Sequence, residues 1–255
     1  MLLARSLIFN FLFYVNLIGL MILGLPLMLA GKRGVIWLAR AWGVTSLWLL
    51  RTIVGLRVEY RGLSNIPAGG YIIAPKHQSI WETFALLPLF RDFTFILKRE
   101  LTWIPFFGWY VVVARQIAIN RASGSAALLE ATERATRELK NARPVFIFPE
   151  GTRRPAGAPP LYKFGVAAIY AASGVPCAPI ALNSGLFWPR RSFLRRPGTV
   201  LVEVLEPIPP GLDRAAFLET LTTRLEGATD RLIAESLRAD ASVEVNLARP
   251  RTQPG

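Results

Sequence analysis

The chain has 255 residues, and its 30 lysines and arginines against 17 acidic residues give a net charge of +13. Such an excess of positive charge is typical of proteins that bind polyanions or anionic membranes. However, 52% of the residues are hydrophobic and 18% are charged, which excludes a disordered basic tail and suits a packed domain. The single cysteine and single histidine exclude an internal disulfide, a cysteine-based zinc site and a multi-histidine metal site.

The N-terminal segment is long and apolar enough to be a membrane helix. No charged residue occurs from Ser6 to Gly31, and a bilayer core needs about 20 apolar residues in helical form. The apolar run is longer than that of a secretory signal, so we expect a retained helix at about 6–30 rather than a cleaved leader. Lysines and arginines are more numerous after this helix than before it, which favours a cytoplasmic position for the rest of the chain.

A second apolar stretch, about 34–55, carries two arginines and three tryptophans. Arg40 and Arg51 are eleven residues apart, close to three helical turns, and therefore lie on one helix face. This pattern favours a helix lying in the membrane interface, or one arm of a hairpin, over a second full span. A core helix with snorkelling arginines is the alternative. Residues 1–56 are thus predicted to be a membrane anchor.

Short apolar runs alternate with helix-like segments after residue 57. This alternation predicts one α/β domain over 57–236. The predicted strands are 70–74, 93–97, 116–120, 145–148, 177–182 and 199–205. The predicted helices are 80–90, 104–112, 123–142, 164–173 and 213–236. The remaining segment, 237–255, is polar and contains proline, and we predict that it is disordered.

Polar residues follow four of these strands directly, and in α/β sheets binding sites gather at the carboxyl ends of strands. His77, the only histidine, follows the first predicted strand, and Lys98 and Arg121 follow the next two. Glu150 to Arg153 follow the fourth. Converging cations of this kind bind phosphate, and Gly151 permits close approach of backbone amides to an anion. A solvated surface position is the alternative for each lysine or arginine.

His77 and Glu82 lie where the first strand ends and a helix begins. Ser79 and Glu82 match a capping box, in which the glutamate only satisfies a backbone amide at the helix start. Alternatively, Glu82 turns back to the imidazole and stabilises it as His77 takes a proton. No serine or cysteine is an obvious nucleophile for His77, so the pattern favours general-base activation of a substrate hydroxyl. Cys177 lies in an apolar strand and is predicted to be a buried, inert thiol.

At this point the sequence resembles the lysophosphatidic acid acyltransferases (1-acyl-sn-glycerol-3-phosphate acyltransferases, the PlsC-like group). HQSIWE, residues 77–82, resembles their H-x4-D motif, with glutamate in place of the usual aspartate. Three further blocks agree in order and spacing: KRELTWIPFFG (98–108), FPEGTR (148–153) and VPCAPIA (175–181). The resemblance covers about residues 57–210.

The resemblance implies a single acyltransferase domain with a central mixed β-sheet flanked by helices. It implies that His77 and Glu82 are catalytic and that Lys98, Arg121 and Arg153 bind the substrate phosphate. Pro149, Glu150, Gly151, Thr152 and Lys163 belong to its substrate-binding or structural motifs. Trp103 and the pair Phe106–Phe107 fit either an acyl groove or ordinary core packing.

The activity implied is transfer of a fatty acyl group to the sn-2 hydroxyl of lysophosphatidic acid, which makes phosphatidic acid for phospholipid biosynthesis. The donor is acyl-coenzyme A or acyl carrier protein. Because a thioester is already activated, we expect no metal and no other cofactor. The expected location is the cytoplasmic side of a bacterial inner membrane, in contact with its phospholipids. The arginine-rich segment 187–196 suits an anionic membrane or a phosphorylated donor, and equally a solvated loop.

Three alternatives remain at this stage. The acceptor is another lysolipid, such as a lysophospholipid or a lyso-ornithine lipid. The chain is a catalytically silent lipid-binding homologue, which the Glu82 departure favours. Thirdly, the charge alone fits nucleic-acid binding, but the sequence contains no recognised nucleic-acid module and its apolar anchor argues against such a partner.

Overall fold

The computed structural model describes residues 1–248, except for the side chain of Arg121. Within them, seven strands form one sheet. The strands are β1 (Leu56–Arg61), β2 (Ile72–Pro75), β3 (Thr94–Lys98), β4 (Ile117–Ile119), β5 (Val145–Phe146), β6 (Cys177–Leu182) and β7 (Gly198–Val204). The α-helices are α1 (Leu2–Leu23), α2 (Gly31–Leu49), α3 (Glu82–Ala85), α4 (Phe107–Val113), α5 (Gly124–Lys140), α6 (Gly165–Ser173) and α7 (Arg214–Ala239).

The sheet is mixed, in the order β1-β7-β6-β2-β5-β3-β4. Strands β6, β2, β5, β3 and β4 run parallel to one another, whereas β7 pairs antiparallel with β6 and parallel with β1. The parallel pairs follow from the helical crossovers between successive strands. This arrangement confirms the predicted mixed α/β sheet.

Side chains from alternate positions of each strand enter two separate cores, as the pleat of a sheet requires. On one face, Ile73, Phe146 and Ile180 pack with residues of α1, α2 and α3. On the other face, Ile72 and Val145 pack with residues of α5, α6 and α7. The sheet is therefore covered on both sides, which explains why its central strands are buried at every position.

Helix α1 is docked on the domain along one stripe. Ser6, Phe9, Asn10 and Phe13 are buried, at helical spacings of three and four. Phe13 packs against Phe84 of α3, with ring centroids 5.4 Å apart. The remaining face of α1 exposes large apolar side chains. Within the described chain, α1 is the one helix whose length and hydropathy allow it to cross a membrane.

Asn10 links α1 to the arginine-rich segment 187–196. Its Nδ2 donates to the carbonyl of Phe193 at 3.1 Å, and its Oδ1 accepts from Arg195 at 2.9 Å. The Arg195 guanidinium is stacked 4.0 Å over the Trp188 ring, and burial lowers the pKa of Arg195 to about 10. Part of this segment is therefore a docking site for α1, while Arg190 and Arg191 are exposed.

Helix α2 is half-buried, in contact with α1, α3 and α4. A π-helical turn, Leu50–Val54, continues it. Trp37, Val44 and Trp48 form an exposed apolar stripe at spacings of seven and four residues. Arg40 is partly buried and donates to the carbonyl of Pro88 at 3.4 Å, whereas Arg51 is exposed. The predicted interfacial position of this helix remains a prediction.

Two sequence predictions need correction. Strand β1 was missed because Arg57, Glu59 and Arg61 interrupt its apolar residues, although their strict alternation is the signal of an edge strand with one exposed face. The tail from 237 is not disordered in its described part. Helix α7 continues to Ala239, a short 3-10 helix follows, and Val243 is buried. Residues 249–255 of the predicted tail lie outside the described residues.

Candidate active site

The carboxyl ends of four parallel strands lie along one edge of the sheet, in the order β2, β5, β3, β4. His77 follows β2, the FPEGTR segment follows β5, Lys98 ends β3 and Arg121 follows β4. Adjacent strands lie about 4.8 Å apart, so the end of β3 is about 10 Å from the end of β2. The topology thus brings the predicted residues to one edge and places the FPEGTR segment beside His77.

His77 and Glu82 are in direct contact. Nδ1 of His77 lies 3.1 Å from Oε1 of Glu82, and the Glu82 carboxylate is buried. Since a carboxylate only accepts hydrogen bonds, Nδ1 carries the imidazole proton and Nε2 is the free acceptor. No hydrogen bond to Nε2 occurs within residues 1–248, and the side chain of His77 is 14% exposed. Nε2 is therefore available to a substrate.

Glu82 makes both of the predicted contacts, to the imidazole and to the helix start, through one oxygen. Oε1 also accepts from the amides of Gln78 and Ser79, at 2.6 and 2.7 Å, which is the capping arrangement. Oε2 accepts from the hydroxyl of Ser184, at 2.8 Å. Four donors from two segments of the fold, the turn 77–79 and Ser184, therefore fix this carboxylate.

The imidazole also contacts one aromatic ring, and the backbone of His77 makes two further hydrogen bonds. The His77 ring stacks on Phe148, with centroids 3.9 Å apart and planes inclined by 19°. The His77 carbonyl accepts from the amide of Arg154 at 2.8 Å, and the His77 amide donates to Oε2 of Glu150 at 2.7 Å. Phe148 and Glu150 of the FPEGTR segment thus support the turn at residues 77–82, the proposed catalytic turn, through their side chains, and Arg154, the next residue after the segment, does so through its backbone amide.

Glu150 is buried, and its two oxygens are both engaged. Oε1 accepts from Nζ of Lys76 at 2.8 Å, and Oε2 binds the His77 amide. Burial raises the pKa of Glu150 above its ordinary value, and the Lys76 ammonium opposes that shift. Glu150 therefore joins Lys76 to the backbone of the turn that carries His77.

The rest of the FPEGTR segment forms a tight turn beneath Lys163. Gly151 has φ +67°, a backbone conformation that favours glycine. A Cβ at that position would lie 3.1 Å from Cγ of Lys163, so the lysine stem covers the turn. Lys163 is exposed, and its amide donates to the carbonyl of Pro149 at 2.7 Å. Thr152 is exposed at the same turn.

Lys98 and Arg153, two of the three predicted phosphate-binding cations, lie at the edge of the sheet that carries His77, and neither has a hydrogen bond or ion pair with it among the described residues. Lys98 is 54% exposed and pairs with Glu100 at 2.9 Å. Arg153 is half-buried, and its carbonyl accepts from Arg190 at 3.1 Å. The side chain of Arg121 lies outside the described residues. Their joint action on one phosphate remains a prediction.

Two further sequence expectations are settled by burial. Cys177 is fully buried, and burial raises the pKa of its thiol, so it is the inert core residue that the sequence predicted. Trp103 and Phe106 are 66% and 42% exposed, which excludes ordinary core packing for both. Among the described residues, no group of three or more His, Cys, Asp or Glu side chains is arranged to hold a metal ion.

Sequence reasoning missed four residues of the site: Lys76, Tyr162, Ser184 and Glu226. Lys76 had a signal, since a lysine directly before His77 at the end of a buried strand must find a counter-charge. Ser184 and Glu226 had no such signal in the sequence. Ser184 contacts Glu82 across 102 positions, and Glu226 contacts Lys76 across 150 positions.

Several known proteins are similar to this chain. Residues 57–183 match the family model described as Acyltransferase. A 1-acyl-sn-glycerol-3-phosphate acyltransferase of Pseudomonas aeruginosa is 38% identical over 81% of this chain and 75% of its own length. The lyso-ornithine lipid O-acyltransferase of the same organism is 28% identical over 68% of this chain and 72% of its own length.

The fold also matches a solved structure. The crystal structure of the 1-acyl-sn-glycerophosphate acyltransferase PlsC from Thermotoga maritima superposes with a TM-score of 0.70, over 89% of this chain and 98% of that one, at 24% identity. The α/β sheet is thus the fold of that acyltransferase, and it includes the segment that matches the acyltransferase family model. The chain belongs to the 1-acyl-sn-glycerol-3-phosphate acyltransferase family.

Proposed function

We propose that this protein transfers a fatty acyl group from a thioester to the sn-2 hydroxyl of 1-acyl-sn-glycerol 3-phosphate and so makes phosphatidic acid. The observation that carries the proposal is the buried His77–Glu82 pair, whose Nδ1–Oε1 distance of 3.1 Å leaves Nε2 free at the carboxyl edge of the sheet. The relative from Pseudomonas aeruginosa has the same activity in its name.

In the proposed reaction, Nε2 of His77 accepts the proton of the sn-2 hydroxyl as its oxygen attacks the thioester carbonyl. Glu82 stabilises the resulting imidazolium through Nδ1. The tetrahedral intermediate then collapses: the ester C–O bond is retained, the C–S bond breaks, and His77 returns the proton to the leaving thiolate. The thioester supplies the activation, so we propose that neither a metal nor a prosthetic group takes part.

Lys98, Arg121 and Arg153 are proposed to hold the acceptor phosphate. The support is their place at the ends of β3, β4 and β5, on the edge that carries His77. An arginine offers a phosphate two parallel N–H groups, and fixing the phosphate places the hydroxyl at the base. Lys98 would exchange its pairing with Glu100 for the phosphate.

The donor is proposed to be acyl-coenzyme A or acyl carrier protein. Arg190 and Arg191 are exposed near the FPEGTR segment, and Arg190 contacts the carbonyl of Arg153. Both donors carry phosphate and other negative groups that exposed arginines attract. Comparing the two donors at equal acyl-chain length, with the double variant Arg190→Gln/Arg191→Gln beside wild type, tests this assignment.

The protein associates with membranes, and we propose that it does so at the cytoplasmic face of a bacterial inner membrane. The apolar helix α1 and the exposed apolar stripe of α2 support the association. Lys32 and Arg33 follow the apolar stretch directly, as expected for a segment whose carboxyl end is cytoplasmic. Protease accessibility in right-side-out and inverted vesicles distinguishes the two sides.

A direct assay tests the reaction. The full-length protein in detergent is incubated with lysophosphatidic acid and radiolabelled acyl-coenzyme A, and phosphatidic acid is measured. We expect transfer by wild type and a loss of at least about a thousandfold in His77→Ala. An absence of transfer from either donor, or undiminished transfer by His77→Ala, would overturn the proposal.

A second acceptor is favoured by one observation, the similarity to the lyso-ornithine lipid acyltransferase. Competition between the two lysolipids decides between them. An acceptor without phosphate has no use for Lys98, so Lys98→Met should lower the rate with lysophosphatidic acid and leave the rate with lyso-ornithine lipid unchanged. The preferred acceptor has the higher kcat/KM in wild type.

A further inference from the structure

Behind His77 lies a buried charged cluster that the proposed reaction does not use. Nζ of Lys76 lies 2.8 Å from Oε1 of Glu150 and 2.8 Å from Oε1 of Glu226. Tyr162 donates its hydroxyl to the same Glu226 oxygen at 2.7 Å. The side chains of Lys76, Glu150 and Glu226 are 5%, 1% and 19% exposed. Burial and the Glu226 carboxylate together raise the pKa of Tyr162, so its phenol remains protonated and donates.

The cluster ends on the catalytic turn. Glu150 divides its oxygens between the Lys76 ammonium and the backbone amide of His77. A continuous series of hydrogen bonds therefore runs from Tyr162 through Glu226, Lys76 and Glu150 to the His77 backbone. Glu226 belongs to α7, and it lies outside residues 57–183, the segment that matches the acyltransferase family model.

Stability alone does not account for this arrangement. Removing three charged groups from water is costly, and well-packed apolar residues usually stabilise a fold at least as well as a buried ion pair. The same helix also carries an ordinary ion pair for comparison. Glu235 pairs with Arg61 at 2.8 and 2.6 Å, and this pair is partly exposed and has no contact with the catalytic turn.

We propose that Glu226, acting through Lys76 and Glu150, is a positioning residue that fixes the backbone of His77 and thereby the alignment of its imidazole with Glu82. This inference rests on the proposed function, because it concerns the base of that reaction. The Nδ1–Oε1 distance of 3.1 Å leaves little room for movement, since such a bond weakens steeply beyond about 3.5 Å. Fixing the amide of His77 therefore also fixes the hydrogen bond between its imidazole and Glu82.

Steady-state kinetics of full-length variants test the proposal. Glu226→Gln should lower kcat about tenfold and leave both KM values within about twofold, because the substrates do not touch Glu226. Lys76→Met should lower kcat about a hundredfold, since it also leaves Glu150 buried without its cation. The double variant should be no slower than Lys76→Met, because both changes break one series of contacts.

The matched control is Glu235→Gln, the same substitution on the same helix in a pair remote from His77. Thermal unfolding of each variant sets an assay temperature at which all are folded. A purely structural role for Glu226 predicts that kcat follows the loss of stability in both variants alike. The proposal instead predicts a lower kcat for Glu226→Gln alone when the two variants are equally folded.

A spectroscopic measurement makes the test independent of turnover. His77 is the only histidine of the chain, so selective ¹⁵N-histidine labelling gives the signals of a single imidazole. Wild type and Glu235→Gln should show the tautomer with the proton on Nδ1. Glu226→Gln and Lys76→Met should show a mixed tautomer population or exchange broadening.

Different results would overturn the proposed acyl transfer and the proposed positioning role of Glu226. Absence of transfer by wild type, with altered imidazole signals in Glu226→Gln, overturns the proposed function and keeps the positioning role. Transfer by wild type, with unchanged kcat and unchanged imidazole signals in both Glu226→Gln and Lys76→Met, overturns the positioning role. A change in acceptor KM with constant kcat in Glu226→Gln overturns it as well.

Discussion

Oε1 of Glu82 contacts Nδ1 of His77 at 3.1 Å while it accepts two backbone amides of the same turn. The carboxylate that contacts the imidazole is therefore also the group that shapes the loop carrying His77. Its second oxygen is held by Ser184, from the segment between β6 and β7. Because all four donors converge on one side chain, the length of that side chain matters as much as its charge.

Glu82→Asp should lower kcat about tenfold, although aspartate is the usual residue in the family motif. The shorter side chain cannot keep the His77, amide and Ser184 contacts together. Glu82→Gln should lower kcat about a hundredfold, because an amide stabilises the imidazolium poorly. Ser184→Ala should cost about threefold or less, since it removes one neutral donor and leaves the contact with His77. A Glu82→Asp enzyme faster than wild type would contradict this account and indicate that glutamate impairs the site.

Arg143→Met should destabilise the fold by about 3 kcal/mol. The Arg143 side chain is 3% exposed, pairs with Asp92 and Glu138, and donates to the carbonyls of Phe93 and Ala114 at 2.6 and 2.7 Å. Its loss removes one donor from each of these carbonyls, although the Ala114 carbonyl keeps Nε2 of Gln116 at 3.2 Å. Chemical denaturation in detergent measures the change.

The control for this prediction is Arg231→Met on α7. Arg231 is 65% exposed and pairs with Glu203 at 3.5 Å, an interaction expected to contribute about 0.5 kcal/mol or less. Equal destabilisation by the two substitutions would show that the Arg143 contacts add nothing beyond a surface pair.

The sequence predicts those parts of the site whose contacts join residues close together in the chain. His77 and Glu82 lie five positions apart on one turn, so their contact follows from local geometry. The alternation of strands and helices likewise predicts the parallel sheet, whose strand ends carry Lys98 and the FPEGTR segment. The apolar core strands are recognised because both of their faces are covered.

The contacts that were missed join distant parts of the chain. Glu226 reaches Lys76 across 150 positions, and Arg195 reaches Asn10 across 185. Such pairs depend on how α7 and α1 pack on the sheet, which no local pattern encodes. The antiparallel direction of β7 and the 3-10 helix after Ala239 were not predicted, for the same reason. In the sequence, Asn10 only lowers the hydrophobicity of the predicted membrane helix. Its partner, Arg195, is apparent only in the folded chain.

The exposed apolar residues around α4 should contribute to membrane binding. Trp103 and Trp109 are 66% and 56% exposed, and α4 is tied to the end of α1 by the Tyr110 hydroxyl, which donates to the carbonyl of Met21 at 2.5 Å. Tryptophan favours the membrane interface. Trp103→Gln/Trp109→Gln should lower the vesicle-bound fraction several-fold in sedimentation with anionic liposomes.

Trp42→Phe serves as the control for this pair, because Trp42 packs against Phe13 and Phe84 instead of being exposed. Its vesicle binding should equal that of wild type. Unchanged sedimentation of the Trp103/Trp109 double variant would show that α1 and α2 alone hold the protein on the lipid surface.

Asn10→Leu should weaken the fold even though it makes α1 more apolar. A helix held only by lipid would lose nothing from this change, and its insertion would improve. In the structure, however, Oδ1 of Asn10 accepts from the buried Arg195 guanidinium, which has no carboxylate partner among residues 1–248, and Nδ2 binds the carbonyl of Phe193. Leucine removes both contacts and leaves a buried cation with one acceptor fewer, at a cost of about 2 kcal/mol. Thermal unfolding of the detergent-solubilised protein measures the effect, with Phe11→Leu on the exposed face of α1 as the control. A melting temperature for Asn10→Leu equal to or above that of Phe11→Leu would show that α1 is held by its apolar contacts alone.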